Sequence, residues 1–203
     1  MSQTTREQLL MQAQTLFSQR GFYGVSIAAV AEALELTKQA LLHHFGSKEK
    51  LYGEVLSRVS DEIESLVNEI ANQQTTAESK FHAVLEALLK HSFSKPEQTN
   101  LLMRELLDNK RRADSARIWY LKPFLKRLTT LLRQSTSWQQ ATESELLAGV
   151  YLLLGSFNYA IVSAPTIQAI YGKSEHKRFE SLILEQYGAL VDAVLYRSEV
   201  ANS

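Results

Sequence analysis

The adjacent histidines His43 and His44 are the first residues of this chain to suggest chemistry. Two histidines can ligate a metal ion, but neighbouring side chains on a helix point about 100° apart and do not easily reach one ion. No His, Asp or Glu lies four residues from either one to complete a site. We therefore expect no metal here. His43 should lie on an exposed helix face, and His44 is equally suited to packing and to an outward contact.

The chain also lacks the other groups that catalysis commonly uses. It has no cysteine, which excludes disulfides, thiolate metal sites and cysteine nucleophiles. It contains no nucleophile motif, no cluster with metal-ligand spacing and no glycine-rich phosphate loop. We therefore predict that the protein is not an enzyme and uses no cofactor.

The pattern of apolar residues predicts an all-α fold. Only 8 glycines and 3 prolines occur in 203 residues, and leucine-rich stretches repeat at helical spacing, which indicates about nine helices. The later helices are predicted at 97–109, 117–135, 143–164 and 174–197. The N-terminus carries no signal-peptide pattern, so we expect a cytoplasmic protein.

The first 46 residues differ from the rest because their predicted helices are short. Ser26 and Thr37 can each cap such a helix, and a tight turn around Glu35 joins the two. Short helix, tight turn, short helix is the geometry that places a second helix in the major groove of DNA. We therefore predict a three-helix helix-turn-helix DNA-binding domain at 1–46 and a larger helical domain at 47–203.

The segment FSQRGFYGVSIAAVAEALELTKQALLHHFGSKEKLYGEVL, residues 17–56, resembles the N-terminal domain of the TetR family of bacterial transcriptional regulators. The resemblance implies a set of side chains that contact DNA bases or phosphates: Ser26, Thr37, Lys38, Gln39, His43, His44 and Lys48. Two positions depart from the family pattern. Glu35 stands where a glycine is usual, and Leu42 stands where a tyrosine is usual.

The charge of this N-terminal region is nearly balanced. Residues 1–50 contain five Lys and Arg against four Glu, a net charge of only +1. Non-specific attraction to DNA phosphates should therefore be modest and strongly dependent on salt, and dimerisation would double the number of contacts.

Residues 146–172 form a segment without a charged side chain that is long enough to cross a bilayer. Polar residues interrupt the run and neither flank carries an excess of Lys and Arg, so we expect a helix buried on both sides. One face of this helix is bulky and comprises Val150, Leu154, Phe157 and Ile161. Another face carries small residues and comprises Gly149, Ser156, Ala160 and Ser163. The resemblance implies that this helix and the last one form a homodimer interface, the last helix through Leu182, Ile183, Tyr187, Leu190, Val191 and Val194.

The resemblance also implies a cavity for a small-molecule effector in the larger domain. The residues that could line it, or could equally be ordinary core, are His91, Met103, Trp119, Tyr120, Tyr151, Asn158 and Tyr159. Taken together, the resemblance implies a ligand-responsive transcriptional regulator, a repressor that binds a near-palindromic operator as a dimer and is released by an inducer. The alternative is an all-helical interaction module or a small-molecule-binding protein without DNA binding.

Overall fold

A computed structural model describes residues 4–108 and 122–196. Within these ranges the regular structure is entirely helical, which confirms the predicted all-α fold. The elements are α1 (Thr5–Arg20), α2 (Ile27–Glu32), α3 (Lys38–Phe45), α4 (Lys48–Ala71), α5 (Ala77–Ser94), α6 (Pro96–Asp108), α7 (Lys122–Arg133), a 3-10 turn (Thr136–Trp138) and α8 (Glu143–Leu195). Because Gly172 interrupts α8, these eight α-helices amount to nine helical segments.

The two short helices of the predicted helix-turn-helix begin at the expected capping residues. The Ser26 hydroxyl accepts a hydrogen bond from the backbone N–H of Ala29 at 3.0 Å, and the Thr37 hydroxyl accepts one from Ala40 at 3.2 Å. Each bond satisfies a backbone donor that the first helical turn leaves free, and such a cap contributes about 0.5–2 kcal/mol. The starts of α2 and α3 are therefore encoded locally.

The turn between α2 and α3 is built around Glu35. Its φ angle is 57°, in the left-handed region. Among the described non-glycine residues, Glu35 is the one whose φ is positive. The turn is closed by the backbone N–H of Leu36, which donates to the carbonyl of Ala31 at 2.9 Å. Glu35 thus adopts the conformation that the family's usual glycine would favour, at a cost of roughly 1–2 kcal/mol.

The first of two compact units contains the described residues 4–61 and 95–108. At its centre the rings of Phe17, Phe22 and Tyr52 pack together, and we call these three residues the aromatic cluster. The Tyr52 ring lies 4.8 Å from Phe17 and 5.1 Å from Phe22, centroid to centroid, and both pairs meet edge to face. All three side chains are buried, so the cluster joins α1, the segment that follows it and α4.

Helix α6 belongs to this unit because it packs along α1. The Arg104 guanidinium donates to the carbonyls of Ser18 at 2.9 Å and Gln19 at 3.0 Å, which lie in the last turn of α1. The Tyr52 hydroxyl donates to the Glu105 carboxylate at 3.0 Å. These bonds satisfy two helix-end carbonyls and give the buried Glu105 carboxylate a hydrogen-bond donor.

The division between the compact units falls inside α4, after Asp61. The sequence placed a domain boundary after residue 46, where the short helices end. The two divisions differ because the first half of α4 and all of α6 contribute to the core around α1, which the sequence pattern did not indicate. The boundary at residue 46 stays a prediction about functional parts.

The second compact unit contains the described residues 62–94 and 122–196, with α5, α7 and α8 around a leucine-rich core. The indole N–H of Trp138 donates to the carbonyl of Val194 at 3.0 Å. A Cβ on Gly149 would lie 2.8 Å from the Trp138 ring. Gly149, which the sequence placed on the small-residue face of this helix, therefore accommodates an aromatic ring of its own chain.

Helix α8 extends further than the sequence indicated. We predicted that one helix would end at 164 and the next begin at 174, but the chain is helical through Pro165 and leaves helical geometry only at Gly172, where φ is 86° and ψ is 164°. Pro165 removes a single backbone donor, whereas a positive φ is a conformation that glycine adopts readily. The expected break at 164 was therefore wrong.

The two segments of α8 pack against each other through Tyr187. Its hydroxyl donates to the carbonyl of Leu153 at 3.1 Å, and its ring lies 5.6 Å from the Phe157 ring. Burial raises the pKa of Tyr187 well above its ordinary value. Tyr187 and Val191 therefore face inward, although both were expected at an interface with a second subunit.

Only one side of the uncharged part of α8 is covered by its own chain. By length and composition alone the helix could cross a membrane, with a mean hydropathy of 1.7 over its most apolar window, and soluble core helices meet the same test. The predicted bulky face is turned inward at Val150, Phe157 and Ile161. The opposite side exposes Leu152 and Tyr159, so the expectation of burial on both sides is not met within one chain.

Replacing Glu35 with glycine should stabilise the protein. We expect Glu35→Gly to raise the free energy of unfolding by about 0.5–1 kcal/mol, because relief of the left-handed strain exceeds the added freedom of glycine in the unfolded chain. The control is Ala33→Gly, two residues earlier at a right-handed φ of −63°, which should lower it by about 0.5–1 kcal/mol. Urea denaturation of both variants measures the difference, and a Glu35→Gly protein no more stable than wild type would contradict it.

Candidate nucleic-acid interface

Helix α3 has a buried side and an exposed side. Leu41 and Phe45 are buried, with 0% and 4% of their surface exposed, and they fix the helix to its unit. Lys38, Gln39 and His43 are exposed. Residues 39 and 43 are one turn apart and share one side of α3, whereas residue 38 points about 100° away from residue 39. We call these three exposed side chains the reading face.

Thr37 and Ser26 are exposed at the starts of α3 and α2. Each hydroxyl oxygen already accepts a backbone N–H, as described above, but its own O–H remains able to donate. A hydroxyl that donates beside a helix N-terminus suits a phosphate oxygen, because the free N–H groups and the helix dipole both favour negative charge there.

Lys48 lies in the first turn of α4, where its position is held by an aromatic ring. Its ammonium group is 4.3 Å from the centroid of the Phe22 ring, within the range of a cation–π contact. Partial burial lowers the pKa of Lys48 from its ordinary value, while the neighbouring Glu49 carboxylate opposes that shift. A cation at the positive end of a helix is unfavourable by itself, so an anion bound there would relieve the repulsion.

Arg6 is anchored within the same unit, a contact that the sequence did not indicate. Its guanidinium forms an ion pair with Glu54 and lies 4.8 Å from the centroid of the Phe45 ring. Arg6 therefore links α1 to α4 across the end of α3. The signal was absent from the sequence because 48 residues separate the two charges.

The two histidines are both exposed. The ring of His44 lies 5.9 Å from that of His43 and 6.2 Å from that of Phe45. Burial in the core is thus not the role of His44, and an outward contact is the alternative that remains from the sequence. Among the residues that the structure describes, no group of three potential metal ligands occurs.

A half-open cavity of about 320 Å³ lies between α4 and α7 in the second unit. Its walls combine apolar side chains with charged ones: Glu64, Val67, Asn68, Pro123, Phe124, Lys126, Arg127 and Thr130. The sequence did not indicate these residues, because the cavity arises where helices more than fifty residues apart meet and neither helix carries a distinctive motif.

The residues expected at an effector site do not line this cavity. His91, Met103 and Asn158 are half-buried elsewhere, and Tyr151 and Tyr159 lie on the exposed side of α8. Trp119 and Tyr120 lie outside the described residues. The structure thus does not bring this predicted set together in the cavity between α4 and α7.

Comparison with known proteins supports the geometry of the first unit. Residues 9–55 match the family described as bacterial regulatory proteins, tetR family. Residues 9–55 therefore form a TetR-type N-terminal domain. It is 33% identical over 88 residues to the HTH-type transcriptional repressor KstR2 of Rhodococcus jostii, covering 43% of this chain and 41% of that protein.

A second relative is named as an activator and not as a repressor. The HTH-type transcriptional activator FasR of Mycolicibacterium smegmatis is 33% identical over 82 residues, 40% of this chain and 37% of FasR. The chain thus matches about two fifths of the length of these curated relatives. A crystal structure of a TetR-family transcriptional regulator from Bordetella parapertussis superposes with a TM-score of 0.71 over 96% of each chain at 17% identity, which shows a shared fold.

The two departures from the TetR pattern have different structural consequences. Glu35 keeps the left-handed turn conformation, so the turn between α2 and α3 is retained. Leu42 is half-buried on α3 and offers no hydroxyl, so the hydrogen bond that the usual tyrosine could donate has no counterpart at this position.

Removing the charge of Lys48 should weaken DNA binding regardless of sequence. We expect Lys48→Gln to lower affinity about tenfold or more, and to reduce the slope of log affinity against log salt by about 2 for a dimer that loses two phosphate contacts. Electrophoretic or anisotropy titrations across a salt series, with duplexes selected by the wild-type protein from a random pool, measure both quantities.

The matched control for Lys48→Gln is Arg58→Gln. Arg58 is exposed on the same helix, ten residues further along, and its replacement by glutamine removes one positive charge, as Lys48→Gln does. It should leave the salt slope within about 0.5 of wild type, since it supplies no phosphate contact. Equal slopes for Lys48→Gln and wild type would exclude the phosphate role of Lys48.

Proposed function

We propose that this chain is a ligand-responsive transcriptional repressor that binds a near-palindromic operator as a homodimer in the cytoplasm. The observation that carries the proposal is the exposed reading face of Lys38, Gln39 and His43 on a helix anchored by Leu41 and Phe45. A short exposed helix, held by two buried side chains and preceded by a tight turn, can enter a major groove without rearranging its own core.

The chemistry of the reading face suits base recognition. A glutamine amide can pair bidentately with adenine, and a lysine ammonium can reach the acceptors of guanine. Gln39 and Lys38 are thus assigned to base edges, and His43 to a base or its neighbouring phosphate. Phosphate contacts on either side come from a second group of residues: Ser26, Thr37, His44 and Lys48.

Dimerisation is supported by the exposed side of α8, which we call the outer face. It comprises large apolar side chains opposite the core, among them Leu152 at 68% and Tyr159 at 77% exposed, together with Leu182 and Tyr196, which are exposed after Gly172. A contiguous apolar surface on a water-soluble regulator marks a protein interface. Two copies of the outer face packed about a two-fold axis would bury it and set the spacing between two reading faces.

The effector is proposed to bind in the cavity between α4 and α7. Helix α4 is continuous from Lys48, at the phosphate-binding turn, to the turns that carry Val67 and Asn68 in the cavity wall. A ligand that displaces the cavity end of α4 would therefore also displace Lys48. Ligand and DNA would then weaken each other's binding by the same factor, as thermodynamic linkage requires.

A change at Gln39 should alter sequence preference more than overall affinity for DNA. We expect Gln39→Ala to relax discrimination at one base pair in each half-site by about 1–3 kcal/mol, because a bidentate pair to one base is lost. Selection from a random duplex pool, with the variant and wild type in parallel, measures preference at every position. The salt slope should stay unchanged, since no phosphate contact is removed.

The control for Gln39→Ala is Glu32→Ala, at the exposed end of α2, which should leave the selected sequence unchanged. If the Gln39→Ala protein selected the same sequence as wild type with equal stringency, Gln39 would not read a base.

A charge on the outer face should weaken the dimer. We expect Tyr159→Glu and Leu182→Glu each to raise the dimer dissociation constant by at least about tenfold, because the carboxylates of both copies would be buried without partners. Sedimentation velocity over a concentration series measures the constant. Operator affinity should fall in parallel, since each half-site would then be bound separately.

The control is Leu184→Glu. Leu184 and Leu182 are equally exposed, at 41%, but they point in nearly opposite directions from the same helix segment. Leu184→Glu should leave the dimer intact. Dimers of unchanged strength in both Tyr159→Glu and Leu182→Glu would show that the subunits associate elsewhere.

A further inference from the structure

The cavity between α4 and α7 has an apolar wall and a charged wall. Val67 on α4, with Pro123 and Phe124 on α7, supplies carbon surface. Lys126 and Arg127 follow on α7 and bring two positive charges. Its volume of about 320 Å³ is at the lower end of the 300–1,000 Å³ usual for small-molecule sites. The cavity therefore suits a small molecule that is apolar in one part and polar in another.

Arg127 carries a donor that the protein leaves without a partner. Its Nε is buried and forms no hydrogen bond to any residue in the described part of the chain. A buried N–H is costly when it is unpaired, and most such groups in folded proteins have a partner. Because Nε is shielded from solvent, a carboxylate in the cavity reaches Nε and one terminal nitrogen together when the guanidinium turns toward it, and this side-on pairing is a bidentate geometry that arginine favours.

The charges around the cavity set the charge of its ligand. Glu64 lies in the wall with Lys126 and Arg127, which gives the lining a net charge of +1. Within the described ranges neither cation is within ion-pair distance of Glu64, so the cavity does not neutralise itself. A ligand with one negative charge balances this lining, whereas a dianion would leave a negative charge beside the Glu64 carboxylate.

We infer that the effector is a small apolar acid with one negative charge, whose carboxylate pairs with Arg127 and whose hydrocarbon part lies against Val67 and Phe124. This inference rests on the proposed function for the identity of the cavity as the effector site. It adds the chemical class of the effector and the residue that recognises it. A molecule of the same shape without the charge would leave the Arg127 Nε unpaired and should bind less well.

Octanoate and 1-octanol are probes that separate the acid group from the hydrocarbon. Isothermal titration calorimetry with the full chain, without DNA, should give a saturable affinity for octanoate at least about tenfold above that for 1-octanol, as expected for a charge-assisted bidentate pair. Equal affinities for the two probes, or no binding of octanoate at millimolar concentration, would overturn the inference.

Three variants locate the binding site. Arg127→Gln should lower octanoate affinity at least about tenfold and leave 1-octanol unchanged, whereas Lys122→Gln, an exposed cation on α7 outside the cavity, should stay within about twofold of wild type. Glu64→Gln should tighten octanoate binding severalfold, because it removes the opposing charge. A folding defect cannot produce this gain, so the Glu64→Gln variant keeps the test decisive if Arg127→Gln is unstable.

The result is separable from the proposed function. Operator binding by the same preparations, without octanoate, reports on the DNA-binding proposal alone. The protein could bind its selected duplex tightly but bind octanoate and 1-octanol equally, with an Arg127→Gln variant that behaves like wild type. That result would refute the acid inference and leave the regulator proposal intact. Octanoate binding through Arg127 in a protein that binds no duplex would support the acid site and refute the regulator.

Discussion

The aromatic cluster of Phe17, Phe22 and Tyr52 is the contact on which the first unit depends, because it fixes three parts of the chain at once. Its rings join α1, the segment after α1 and α4 at centroid distances near 5 Å. The Lys48 ammonium also lies over one face of the Phe22 ring. The position of this cation is therefore set by the same ring that helps to close the core, so the side chain proposed to bind a phosphate is held in place by packing.

The outer face of α8 imposes the second constraint. Its core side is filled by residues of the same chain, including Tyr187 and the Trp138 ring that occupies the space beside Gly149. That filling leaves Leu152 and Tyr159 in water, where large apolar side chains give no stabilisation. A monomer thus carries apolar surface that association would bury, and in the proposed dimer this association would bring two reading faces together.

The residues that could be predicted from the sequence are those whose role is local. The caps at Ser26 and Thr37 and the tight turn at Glu35 depend on neighbours within five residues, and the structure confirms each of them. The cavity wall between α4 and α7 could not be predicted, because it depends on how two distant helices meet. The end of the first α8 segment was misplaced because Pro165 is the stronger helix-breaking signal, while Gly172 supplies the break.

The near-neutral charge of the first 50 residues has a consequence for how occupancy is controlled. A single reading face with a net charge of +1 gains little from the phosphate backbone, so a monomer would hold non-specific DNA weakly. Most of the operator affinity must then come from base contacts and from two faces engaged together, which makes the spacing between them decisive. In the proposed mechanism, a ligand that shifted α4 by a small amount would change that spacing at both half-sites, with little non-specific attraction to keep the protein on DNA. Under this proposal, weak electrostatic attraction would make a small movement of α4 sufficient for release from DNA.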